Sequence, residues 1–206
     1  MTQDEPVRLL LAEDQVMIRE ALAALLSFEG DIEVVAQVGR GDEVLKAAEA
    51  TKPDVAVLDI EMPGMDGLTA AAELKRRSPD IKIVILTTFG RPGFLRRAME
   101  SGVSAFLVKD SPADKLTQTI RRVLAGERVI DPDLAAAALA DGVNPLTPRE
   151  RDVLEASADG RTVAEIAAQL YLSEGTVRNY LSAGIQKTGA RNRAEALRIA
   201  SERGWL

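Results

Sequence analysis

Apolar positions along this chain follow two periods. Over residues 1–125, short β-type runs alternate with longer stretches of helical spacing. The strand-like runs are 7–12, 33–38, 55–58, 83–87 and 105–108. Several are continuously apolar, as parallel strands covered on both faces require. Between them, "QVMIREALAALLSFEG" puts Ile18, Leu22, Leu25 and Leu26 on one helical face, with Gly30 as a stop. The spacing predicts further helices over 42–50, 68–77, 92–101 and 112–125. Five βα units predict a doubly wound α/β sheet in the order 2-1-3-4-5.

From residue 145 the strand period disappears. "LTPRERDVLEASADGRT" predicts a helix capped by Thr147, with Pro148 at its first position, Glu150 closing a capping box and Gly160 as a stop. "TVAEIAAQLYLS" predicts a second, capped by Thr162 and Glu165. "SEGTVRNYLSAGIQKTG" predicts a third from Ser173, after a tight turn, and "RNRAEALRIASERG" a fourth. Two helices joined by a short turn, the second bearing Thr, Arg, Asn and Tyr near its start, form a helix-turn-helix pattern. A plain four-helix bundle with a solvated polar face is the alternative that this pattern leaves open. The expected division is residues 1–125, a linker over 126–144 in which "DLAAAALA" makes one or two helical turns ended by Gly142, and residues 145–206.

Composition narrows the chemistry. Of 206 residues, 46% are hydrophobic and 28% charged, an ordinary globular balance. There is no Cys, which removes disulfides, thiolate metal sites and a Cys nucleophile, and no His, which removes the usual general base and the commonest transition-metal ligand. The start is acidic, its apolar stretch is too short for a secretory signal, and no apolar run is long enough to span a membrane, so a cytoplasmic protein is expected. The net charge is −6 but uneven: residues 145–206 hold nine Lys/Arg against eight Asp/Glu, a balance of +1. From Thr176 onward there are six basic residues and two acidic ones.

In "VLDIEMPGMDG" a buried apolar run gives way at Asp59 to a Pro-Gly loop. Sheets of this kind carry their working site outside the carboxyl ends of the strands. Those ends are marked by Glu13 and Asp14, by Asp59, by Thr87 and by Lys109. Order 2-1-3 makes the first and third strands neighbours, so three carboxylates converge and repel unless a cation sits among them. With only hard oxygen ligands, Mg²⁺ fits best. Thr87 and Lys109 add a hydroxyl and an ammonium for phosphoryl oxygens. The set predicts a carboxylate nucleophile served by a metal and two donors.

Glu13-Asp14, "LDIEMPGMDG", "ILTTF" and "FLVKD" resemble the receiver domain of bacterial two-component response regulators. The resemblance implies that Asp59 takes a phosphoryl group from a histidine kinase's phosphohistidine. It implies Mg²⁺ held by Glu13, Asp14, Asp59 and the backbone carbonyl of Glu61. Thr87 and Lys109 would bind phosphoryl oxygens, and Phe106 would move with Thr87. Asp110 stands where many receivers have Pro, which leaves the Lys109–Asp110 isomer open. "LTPRERDVL", "AEIAAQLYLSEGTVRNYL" and "NRAEAL" are similar to the LuxR-type helix-turn-helix, and the whole chain resembles a response regulator of the NarL/FixJ family. Carried over by position, Arg178, Asn179 and Ser182 would face bases of promoter DNA, Thr176 and Lys187 would hold phosphates, and the fourth helix would pair two domains on DNA. The resemblance implies a homodimer formed on phosphorylation and no enzyme activity beyond the protein's own phosphotransfer and dephosphorylation. Gly184 and Thr188 replace a large aliphatic residue and a Leu on the expected core face of the third helix. The rival readings are a DNA-binding regulator that works without phosphorylation and a Mg²⁺-dependent phosphatase with an Asp nucleophile. The second fits poorly, because such enzymes carry the nucleophile after the first strand in a DxD signature.

Overall fold

The structure is a computed structural model and describes residues 5–88, 92–132, 134–136 and 144–206. The chain divides near residue 135 into two units, each taken by itself.

The first unit is built on a parallel sheet in the order β2-β1-β3-β4-β5-β6. Its strands are β1 (Val7–Ala12), β2 (Ile32–Val38), β3 (Val55–Leu58), β4 (Lys82–Thr87), β5 (Ala105–Val108) and β6 (Val129–Ile130). The order of the first five is the expected one. The sixth corrects the expectation of five strands and lies inside the segment read as a linker. A Val-Ile pair is too short to register as a periodic run, yet it pairs with Ala105 and Phe106 at the open edge of β5. The helices are α1 (Val16–Ser27), α2 (Val44–Thr51), α3 (Gly67–Arg77), α4 (Pro92–Glu100) and α5 (Ala113–Leu124).

Period-two alternation sends Leu9, Leu11, Val55, Val57, Val84, Leu86, Ala105 and Leu107 to one face of the sheet. There they bury against Ala23 and Leu26 of α1 and Leu116, Ile120 and Val123 of α5. The alternate residues Leu10, Ala56, Leu58, Ile83, Ile85 and Phe106 are equally buried on the opposite face. Each of the larger side chains among them contributes about 1.5–3 kcal/mol of transfer free energy. A one-residue slip would turn all of them over, so the strand ends are fixed in register. Beyond β6 a helical turn starts at Pro132, where the Ala135 N–H donates to the Asp131 carbonyl at 3.0 Å. The remainder of the expected "DLAAAALA" helix and Gly142 lie outside the described residues.

The second unit holds α6 (Pro148–Glu155), α7 (Val163–Leu170), α8 (Glu174–Thr188) and α9 (Arg193–Glu202). Both expected capping boxes form, Thr147 with Glu150 and Thr162 with Glu165. The Ser173 and Asn192 side chains cap α8 and α9. Leu146, Val153, Leu154, Ile166, Val177, Leu181, Ala196, Ala200 and Trp205 make the core.

Candidate functional site

The register of β1 against β3 does most of the positioning in the first unit. Ala12 lies opposite Leu58, and the Asp59 N–H donates to the Ala12 carbonyl at 2.9 Å. Glu13 and Asp59 are therefore the first residues past two adjacent strand ends. Thr87 pairs with Val108 across β4 and β5, and the Lys109 N–H donates to the Thr87 carbonyl at 2.8 Å. Four strands thus deliver Glu13, Asp59, Thr87 and Lys109 to the carboxyl end of the sheet.

Lys109 bridges the two buried carboxylates. Its Nζ lies 2.5 Å from Glu13 Oε2 and 2.8 Å from Asp59 Oδ2. The Glu13 and Asp59 side chains are only 1% and 4% exposed, so the ammonium supplies the charge that a buried pair of carboxylates needs. Burial pushes the Glu13 carboxyl above its ordinary range; the Lys109 hydrogen bond opposes this, and the Asp59 charge adds to it. Burial pulls the Lys109 ammonium down, but hydrogen bonds to Asp59 and Glu13 outweigh it and hold that pKa above an ordinary lysine. The other Asp59 oxygen, Oδ1, accepts the Ile60 N–H at 2.7 Å.

Asp14 is exposed and completes a group of three carboxylates. One oxygen from each of Glu13, Asp14 and Asp59 lies within 4.8 Å of the others. An all-oxygen, triply acidic donor set fits a hard divalent cation such as Mg²⁺. Glu61 is exposed, two residues past Asp59 in the bend that follows β3. Thr87 and Phe106 are each 1% exposed. Phe106 is in register with Ile85, so it shares the sheet face of Thr87. The Lys109–Asp110 bond is trans, since no peptide bond among the described residues is cis.

Two supports of the site had no sequence signal of their own. The Arg19 guanidinium on α1 donates to the Glu13 carbonyl at 2.5 Å and so fixes the backbone of the acidic pair. Its partner is a backbone atom, which no side-chain pattern records. At Gly67 a Cβ would fall 1.8 Å from the Asp59 carbonyl oxygen, so only glycine lets α3 begin this close to Asp59. "MPGMDG" contained that glycine, but only the tertiary structure gives it this role.

In the second unit, Val177, Leu181 and Gly184 face the core along α8, leaving Arg178, Asn179 and Ser182 exposed and Thr176 half-buried at its start. Lys187 is also exposed, but its Nζ lies 2.7 and 2.9 Å from the two oxygens of buried Glu150. An ammonium has three N–H donors, so one remains for another acceptor. Thr188 is half-buried and donates its hydroxyl to the Gly184 carbonyl at 2.8 Å, which satisfies the polar group standing where a Leu was expected.

A parallel sheet with buried carboxylates and a lysine at its strand ends, and a capped helix-turn-helix in the second unit, match the plan of a response regulator. Family comparison agrees: the response regulator receiver domain matches residues 9–121, and the luxR family of bacterial regulatory proteins matches residues 144–200. The chain belongs to the two-component response regulators that carry a LuxR-type DNA-binding domain, the NarL type. It is 46% identical over 200 residues to the uncharacterized transcriptional regulatory protein YvfU of Bacillus subtilis (strain 168), covering 97% of this chain and 100% of that one. It is 45% identical to the transcriptional regulatory protein DesR of the same organism, covering 97% and 99%. Among solved structures, a LuxR-family DNA-binding response regulator from Staphylococcus aureus is 40% identical, with a TM-score of 0.56 over 57% of this chain and 98% of that one. No helix among the described residues is long and apolar enough to cross a membrane.

Proposed function

We propose that Asp59 accepts a phosphoryl group from the phosphohistidine of a sensor histidine kinase, and that this drives pairing of two chains on promoter DNA. The observation that carries the reading is the buried Glu13–Lys109–Asp59 cluster with Asp14 beside it. An Asp59 carboxylate oxygen attacks phosphorus, the new O–P bond replaces the P–N bond, and the imidazole nitrogen leaves with the electron pair. Glu13, Asp14, Asp59 and the Glu61 carbonyl would hold Mg²⁺, which when bound supplies positive charge against the phosphoryl oxygens. Lys109 follows the negative charge from the carboxylate to those oxygens, and the Thr87 hydroxyl donates to another of them. The space that Thr87 leaves is open to Phe106 on the same sheet face, which alters the surface of the fourth and fifth βα units.

In this reading the receiver extends from the start of the chain through β6, residues 145–206 form the DNA-binding domain, and the protein works in the cytoplasm. Arg178, Asn179 and Ser182 meet base edges in the major groove. Thr176 and the remaining N–H of Lys187 hold phosphates, helped by the N-terminus of α8. Moving a two-state receiver from 1:99 to 99:1 requires about 5.5 kcal/mol of preference for the phosphorylated form. Pairing adds high effective concentration on a site with two half-sites about 34 Å apart.

The test is incubation with acetyl phosphate and Mg²⁺, followed by intact-mass analysis and light scattering. The parent gains one phosphoryl group and dimerises, and Asp59→Ala does neither. An Asp59→Ala protein that labels or dimerises like the parent refutes the assignment.

A further inference from the structure

The helix that carries the DNA-facing residues also carries an acidic side chain in line with them. Glu174, Arg178 and Ser182 stand at i, i+4 and i+8 of α8, so they form one stripe. Glu174 Oε2 lies 2.6 Å from an Arg178 guanidinium nitrogen, with the side chains 51% and 62% exposed. A carboxylate on a stripe that meets DNA opposes the phosphate field, and an exposed pair of this kind adds little to helix stability.

Capping does not account for it. The first-turn glutamates of the other three helices accept backbone N–H groups: Glu150 from Thr147, Glu165 from Thr162 and Glu195 from Arg191. α8 keeps only the cap half of that arrangement: the Thr176 N–H donates to the Ser173 hydroxyl at 3.1 Å, and the third helical position holds Thr176 where the other helices hold glutamate. The Glu174 carboxylate instead meets a guanidinium. The helix dipole steadies it in that position.

We propose that Glu174 is a specificity-determining residue, which holds the Arg178 guanidinium away from phosphates on non-cognate DNA and yields it where a base edge offers two acceptors. This rests on the reading of Arg178 as a base contact. A phosphate oxygen offers Arg178 an exchange of one carboxylate for another anion, with little gain. Guanine O6 and N7 accept two parallel N–H bonds, which an exposed single contact to Glu174 does not match. The internal pair therefore filters phosphate contacts more strongly than base contacts.

The experiment uses the full chain and a duplex recovered by selection from a random pool, with its scrambled counterpart as the non-cognate probe. Glu174→Gln, Arg178→Ala and the double variant are titrated at several salt concentrations. Glu174→Gln is expected to tighten binding to the scrambled duplex about two- to fivefold. It should tighten the selected duplex less, so discrimination falls. The salt dependence on the scrambled duplex should steepen by about 0.9 in log–log slope as Arg178 reaches a phosphate. In the Arg178→Ala background the substitution should no longer change discrimination. Equal tightening on both duplexes, with or without Arg178, would reduce Glu174 to a bare repelling charge and overturn the proposal, as would no change at all. If Arg178→Ala alone leaves discrimination unchanged, the base-reading assignment itself fails and the proposal falls with it.

Discussion

Replacing Gly184 with alanine should stabilise the DNA-binding unit, and the structure gives the size of the effect. Gly184 lies in the interior of α8 and is buried on its core face. A Cβ added there would meet only Leu146 Cδ2, at 4.0 Å, an ordinary van der Waals contact. Glycine inside a helix costs about 0.8–1.0 kcal/mol relative to alanine. Burying the added methyl contributes up to about 0.8 kcal/mol more. The hydroxyl of Thr188 bonds the Gly184 carbonyl, not its Cα, so the methyl leaves that bond intact. The total is about 1–2 kcal/mol, and for a unit of this size each kcal/mol moves the melting midpoint by roughly 4–8 °C. The readout is selective because Trp205 is the only tryptophan in the chain and lies in the core of this unit, 5% exposed. Thermal melts followed by its fluorescence should rise by about 4–16 °C for Gly184→Ala. An unchanged or lower midpoint would mean that α8 already packs tightly around Gly184, and the account of an underfilled helix would be wrong.

Asp14→Ala should leave the fold intact, because Asp14 is exposed, while Mg²⁺ titration by calorimetry loses the heat seen with the parent and acetyl phosphate no longer labels Asp59. Burial raises the Glu150 carboxyl, but hydrogen bonds from Lys187 and Thr147 outweigh it and hold the pKa below the ordinary glutamate range. The stability this gives is complete above the unfolded glutamate value of about 4.3 and is lost as pH falls through the lower folded value. Urea midpoints read at Trp205 should therefore decline over that acid window in the parent and decline less in Glu150→Gln. Lys187→Ala removes the cation from a buried carboxylate and should cost about 1–2 kcal/mol at neutral pH, a loss visible in the same melts without DNA.

Local pattern determined much of this protein. Continuous apolar runs reported the parallel strands, because strands covered on both faces have no polar side to display. Thr147, Thr162 and Ser173 announced three helix starts, because a cap and its backbone partner lie within one turn. The alternation of elements implied a doubly wound parallel sheet, and the order common for five strands brings the ends of β1, β3, β4 and β5, with Glu13, Asp59, Thr87 and Lys109, together. What joins residues distant in sequence through a backbone atom, an edge or a close approach was decided only by the tertiary structure. Arg19 reaches a carbonyl, β6 pairs at an edge with just two residues, and Gly67 is required by a neighbour eight positions earlier. Lys187 looked like a free basic side chain, because nothing near it in sequence reveals that packing of α6 against α8 buries Glu150 beside it. Periodicity encodes which face of an element is apolar, whereas the partner of a charged group depends on which faces meet.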